Sequence, residues 1–257
     1  MSRLSTSTRL YIGIILFLAL LAVVGSLMSH LQFLSLAGIQ FSIDELLVSH
    51  LLLPMAVTLV NTGIAAGLGV VGLVLSPKVR FAGLWDESVI NRRRFLTPAL
   101  TGIGIGGVLI IVDLIASHLS DFEHLHTSQF PNSILSALNS GITYEIIFRL
   151  FLVTFLVWLV SRVLLKDRWP NRVFWIIIAL SACACIFTSV APLITVHQLT
   201  ERELPLAYII ESILFAGLVS MFAGYYLRKA GFLAAAGVHV WTNIVWQVIW
   251  ESLIIAA

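Results

Sequence analysis

The sequence is poor in charge. Of 257 residues, Lys and Arg supply 15 and Asp and Glu 13, together 11% of the chain, against 59% apolar residues. A soluble domain carries roughly a quarter charged residues, so a soluble globular fold is excluded and a polytopic membrane protein is what remains. The formal net charge of +2 leaves no nucleic-acid footprint, and the basic residues inform by position instead of by sum. Cysteine is nearly absent. Cys183 and Cys185 sit in one apolar segment on different sides of a helix, where they read as small apolar residues and not as a redox pair or metal site. Internal repeats of the kind many transporters carry are also missing.

What the chain does have is long apolar runs. Crossing ~30 Å of hydrocarbon takes about 20 helical residues. About seven runs qualify, near 10–28, 47–75, 95–117, 134–165, 173–196, 204–227 and 231–254. The first exceeds the core of a signal peptide, follows Arg3 and Arg9, and lacks a small-x-small cleavage site, so it is expected to be a retained membrane helix. The connectors alternate in charge along the chain. Lys78, Arg80, Arg92 to Arg94, Arg162, Lys166, Arg168, Arg172, Arg228 and Lys229 mark one side. Asp44, Glu45, His50, His118, Asp121, Glu123, His124, His126, Glu201, Glu203 and Glu251 mark the other. The expected fold is an all-α bundle of about seven transmembrane helices, N-terminus inside and C-terminus outside, and the plasma membrane is its expected location. Residues 1–133 would form N-terminal helices, and 134–257 a core bundle.

Several local signals refine this picture. Phe81 to Phe95 alternates apolar and charged residues before three arginines, which fits either a short amphipathic helix on the cytoplasmic surface or a solvated connector that obeys the positive-inside rule. The glycines at 102, 104, 106 and 107 lie inside a spanning run, with no strand before them and no lysine after, so a phosphate loop is excluded. Gly102 with Gly106, and Gly63 with Gly67, match the small-xxx-small pattern of close helix packing. The spacing of His118, His124 and His126 fits no zinc pattern, and a solvated loop is expected there. Pro170 should stop one helix and begin the next.

Few ionisable groups remain at membrane depth: Asp113, Glu145, Arg149, Glu211 and His239. Such residues are costly in lipid and mark functional sites by default. Asp113, one turn from its helix end, is expected to reach the interface. Glu145 and Arg149 are one helical turn apart, so each can offset the other's burial. In the last span His239 and Asn243 are likewise one turn apart. An imidazole exchanges protons near neutral pH, and an amide can hold a carbonyl or an oxyanion. Glu145 lies nearer the outer end of its long helix and His239 nearer the inner end of its own. A bend at Asn139-Ser140-Gly141 is the expected means of bringing the two level.

These residues resemble the CAAX-protease and bacteriocin-processing (CPBP/Abi) family of intramembrane endopeptidases. That family carries Glu-Glu-x-x-x-Arg on one helix, Phe-x-x-x-His on a second and His-x-x-x-Asn on a later one. Glu145 and Arg149 match the second Glu and the Arg, His239 and Asn243 match the last motif, and Gly217 to Gly231 looks like the turn into the His helix. Two positions depart: Tyr144 stands where the family places its water-activating Glu, and Phe187 to Ala191 ends in Ala instead of His. A phenol with an ordinary pKa near 10 is no general base at neutral pH, and Ala191 neither donates nor accepts a proton.

The resemblance implies an intramembrane endopeptidase acting on membrane-associated or prenylated peptide segments. In it Glu145 activates water, His239 shuttles protons, Asn243 steadies the oxyanion and Arg149 holds Glu145; Tyr144 and Glu211 are auxiliary candidates. The departures at Tyr144 and Ala191 equally allow an inactive member that serves as scaffold or regulator of a membrane-protein partner. From another class, Glu145, Glu211 and His239 as a proton path would suit a small transporter. No cofactor is expected, and Glu145 with His239 is too small a ligand set for zinc. The expected partners are the lipid bilayer and a membrane-associated peptide or membrane protein, with no nucleic acid.

Overall fold

The computed structural model describes residues 5–37, 51–119, 130–200 and 206–256. Among them seven helical spans are long and apolar enough to cross a membrane: Thr6–Leu31, Leu53–Val79, Arg92–His118, Asn132–Leu164, Pro170–Ala191, Ile209–Ala230 and Phe232–Ile254. No strand occurs among the described residues. The protein is an integral membrane protein built as an all-α bundle. The outer-side residues Asp44, Glu45, His50, Asp121, Glu123, His124, His126, Glu201 and Glu203 lie outside the described residues.

The helices are α1 (Thr6–Ala37), α2 (Leu53–Leu75), α3 (Thr97–Leu119), α4 (Asn132–Glu145), α5 (Pro170–Thr200), α6 (Leu206–Ala230) and α7 (Phe232–Asn243). Two of them change geometry part-way across. The α4 span continues as a π-helical stretch (Ile146–Val153), one α turn (Thr154–Val157) and a second π-helical stretch (Trp158–Leu164). The α7 span continues as π-helix through Ile244–Trp250 and closes as α-helix over Glu251–Ala256. Runs of π-helix are rare and concentrate at functional sites. Here one begins directly after Glu145 and another directly after Asn243.

These two spans are also the most enclosed. The α7 span is 56% buried and the α4 span 44%, whereas the other five range from 22% to 39% and leave the rest to lipid. The α7 helix packs against α3, α4 and α6, while α1 and α2 pack on the opposite side of the α4 span. Close approach follows where side chains are small. A Cβ on Gly102 would collide with the Val238 carbonyl of α7, and one on Gly106 would stand 2.6 Å from the Val245 side chain. The pair expected on α2 is displaced. Gly63 and Gly67 face open space, and Gly69 and Gly72 make the contacts, against the Tyr11 hydroxyl and the Leu150 backbone. The spacing pattern named a helix but not which glycines meet a neighbour.

The connector after α2 differs from expectation more sharply. Phe81 to Ile90 forms no amphipathic helix, and the chain becomes helical only at Asn91. Phe81 and Leu84 turn inward as core residues, with Phe81 edge-on to Phe174 at 5.7 Å. Arg94 is buried, lies 3.9 Å over the Trp85 ring, and donates to the Asn91 side chain and the Asp86 carbonyl. Arg92 and Arg93 are the ones left facing outward. Alternation misled here because the apolar residues fill the end of a bundle instead of lying on a membrane surface. Ser88 donates its hydroxyl and amide to Asp86, which holds that carboxyl below its usual range.

The two remaining turns obey their punctuation. Pro170 opens α5, where a missing N–H costs nothing. Gly231, at φ +87°, makes the single-residue turn between α6 and α7, and a Cβ there would press within 2.7 Å of the Gly83 carbonyl.

Candidate active site

Glu145 is fully buried at the end of α4, with 0% exposure, and both of its oxygens have a charged or titratable neighbour. Oε1 lies 2.9 Å from His239 Nδ1, a contact across 94 positions of sequence. Oε2 lies 3.4 Å from Arg149 Nε in an ion pair one helical turn along. The expected difference in depth between Glu145 and His239 is closed. No break occurs at Asn139-Ser140-Gly141, where α4 runs through unbroken. The irregularity comes after Glu145: a π-helix advances less per residue, so the stretch from Ile146 to Leu164 covers less depth than an α-helix would.

The pairing engages Nδ1 of the imidazole with Glu145. An ionised carboxylate only accepts, so against one Nδ1 is the donor, and a neutral ring then keeps its lone pair at Nε2. His239 lies beside Phe215, 5.6 Å between ring centres, and Tyr144, 6.1 Å away. Tyr144 itself stacks on Phe148 at 5.7 Å.

His239 stands in the wall of a cavity of about 290 Å³ that also touches Tyr144, Arg149, Cys185, Ser220 and Asn243. Arg149 reaches it with one nitrogen committed, Nη1 donating to Cys185 Sγ at 3.4 Å, while Nη2 has no hydrogen-bond partner. Ser220 Oγ is likewise buried without a partner. Asn243 takes a different posture from the expected one. Its Nδ2 donates to the Ala137 carbonyl at 3.1 Å and to Ser140 Oγ at 3.2 Å, and its Oδ1 is left without a partner. With both amide protons used, Asn243 presents an acceptor to the cavity.

Other expectations are corrected by position. Glu211 does not line this cavity; its carboxyl hydrogen-bonds to Asp113. Asp113 does not reach the interface. It is 2% exposed and accepts a hydrogen bond from Trp250 Nε1 at 2.6 Å, because α3 is held close to the α7 span by its glycines. On α5, Phe187 points outward at 72% exposure, so the Phe187 to Ala191 register falls on the wrong face. The cavity is met instead by Cys185 and Ser189, one turn apart. Cys183 is exposed and only Cys185 is buried, as a neighbour of Arg149 more than as filler.

Sequence reasoning missed Ser136, Ser140, Ser189 and Ser220 in the cavity wall. For α4 a signal was available: Asn132, Ser136, Asn139, Ser140 and Thr143 recur at helical spacing in an otherwise apolar chain. Among the described residues no group of three or more His, Cys, Asp or Glu side chains is placed to hold a metal ion. No family model, curated protein or solved structure matches the chain.

Proposed function

We propose that the protein is a membrane-embedded peptide-bond hydrolase of the CAAX-protease type, acting on membrane-associated peptide segments, with His239 as the group that activates water. The observation that carries this reading is the 2.9 Å contact between Glu145 and His239 at the wall of a cavity that Arg149, Ser220 and Asn243 also line. Glu145 has no exposed surface with which to touch a water, so its role is to orient the ring and stabilise the imidazolium. His239 Nε2 takes a proton from water as the water oxygen bonds to the peptide carbonyl carbon. The same proton passes to the leaving nitrogen as the C–N bond breaks. Arg149 Nη2 and Ser220 Oγ supply the donors for the negative oxygen. The likeness of Glu145, Arg149, His239 and Asn243 to the CPBP motifs supports the same reading.

A second reading is favoured by Tyr144, which stands in the wall where that family carries a carboxylate. It is a non-catalytic bundle whose cavity holds a peptide segment of a membrane partner. Purified protein in liposomes with candidate membrane peptides separates the two. Hydrolysis should fall about 10²-fold or more in His239→Ala. Cleavage unaffected by that change removes the first reading. Peptide binding without cleavage, converted to cleavage by Tyr144→Glu with Ser189→His, establishes the second.

A further inference from the structure

A hydrolase buried among lipid needs a route for water, and on the basic side the connector between α2 and α3 packs over the end of the bundle. Phe81 and Leu84 are buried there, Arg94 is stacked on Trp85, and Gly231 packs against the Gly83 carbonyl. The opposite side is built differently. A second cavity, of about 410 Å³, lies between α1, α2 and α4, and its wall includes Ser26, Ser29, Thr58, Asn132 and Asn139. Asn132 donates across it to Ser29, tying α1 to the first turn of α4.

One residue belongs to both cavities. Ser136 lines the second cavity and the one that holds His239, and it is exposed although its helix is packed by α1 on one side and α7 on the other. The polar face of α4 thus runs from Asn132 past Ser136 to Ser140, whose hydroxyl accepts from Asn243 beside His239. At its inner end, three side chains that are each 1% exposed carry polar atoms with no protein partner: Arg149 Nη2, Ser220 Oγ and Asn243 Oδ1. Buried groups of this kind are satisfied by ordered water where a polar cavity is roomy enough. At about 290 Å³ the inner cavity is large enough to hold water.

We infer that the polar face of α4 is a hydrated channel that admits water to the Glu145–His239 site from the Asn132 end of the bundle, the side opposite the basic connectors. Its hydroxyls and amides replace the hydrogen bonds of bulk water step by step, and Ser136 is the point of passage between the outer and inner cavities. The inference rests on the proposed hydrolase only for its purpose. The route itself is a property of the fold and is tested without any substrate.

The test uses the full-length chain in oriented vesicles, with Ser136→Cys or Asn139→Cys and a charged, membrane-impermeant thiosulfonate added on one side at a time. The unmodified chain, with Cys183 and Cys185 in place, sets the background, and Val153→Cys, in the apolar core, serves as the dry control. Both test positions should react roughly ten-fold or more faster from the Asn132 side than from the basic side, and faster than Val153→Cys. Ser136→Leu should slow the labelling of Ser140→Cys, whereas Ser136→Ala should not. Labelling no faster than Val153→Cys, or equal from both sides, or faster from the basic side, overturns the inference. One-sided labelling in a protein that cleaves nothing leaves the channel standing and removes the hydrolase.

Discussion

Among the described residues, two clusters of ionisable side chains lie inside this bundle, Glu145 with Arg149 and His239, and Asp113 with Glu211. The first pairs opposite charges one turn apart on the α4 span and ties them to His239 of α7, so each group offsets the burial of the next, and it borders a cavity. The second sets two carboxyl groups together between α3 and α6, with the Trp250 indole donating to Asp113, away from that cavity. A compensated cluster can be fully dry and still hold a charge ready for chemistry, whereas two carboxyl groups hydrogen-bond to each other only while they share a proton. The difference separates a site from a helix-packing contact, although both looked alike as intramembrane charges in the sequence.

The comparison is broken most forcefully at Glu145. Replacing it by Leu strands the buried Arg149 guanidinium and should cost about 3–5 kcal/mol of stability, seen as a large fall in the thermal midpoint in detergent. The double change Glu145→Leu with Arg149→Met should recover most of that stability and none of the hydrolysis. A single change without effect on melting would show that the ion pair offsets nothing.

Next in size is Gly102→Ala. The added methyl meets the Val238 carbonyl and pushes α3 from α7, at about 1–3 kcal/mol. Since α3 carries Asp113 as well, both clusters should loosen, with hydrolysis and Trp250 fluorescence changing together. Trp250→Phe removes one hydrogen bond to Asp113, about 1 kcal/mol, and should leave hydrolysis intact. The smallest effect is expected at Glu211→Gln. An amide can donate to Asp113 in place of the shared carboxyl proton, so stability should move by no more than ~0.5 kcal/mol in either direction. Loss of hydrolysis in Glu211→Gln would merge the two clusters into one machine and end the distinction.

Parts of the fold were legible from local rules alone. Apolar length marked the seven spans, Pro170 and Gly231 marked turns, and the pairs Glu145 with Arg149 and His239 with Asn243 followed from one helical turn of spacing. Other features were not legible, and each for a physical reason. The alternation in Phe81 to Phe95 is the same whether apolar residues face lipid or cap a bundle, so the inward turn of Leu84 and Arg94 was hidden. The choice of Gly69 and Gly72 over Gly63 and Gly67 depends on where Tyr11 and Leu150 arrive from other helices. The outward direction of Phe187 depends on how α5 is rotated about its axis, which its own apolar sequence does not specify.

By itself, then, the sequence determined that this is a membrane bundle and which few residues would be costly to bury, because hydrophobic transfer and helical period act residue by residue along the chain. Only the tertiary structure decided which of those residues share a site. The meeting of Glu145 with His239 depends on the close approach of α4 to α7, where Gly141 sits against the Val240 backbone. The turning of Asn243 toward Ala137, and the pairing of Glu211 with Asp113 instead of with His239, were settled by which helix stood nearest. Contacts of that kind depend on the approach and rotation of whole helices, and neither quantity is written in any one segment.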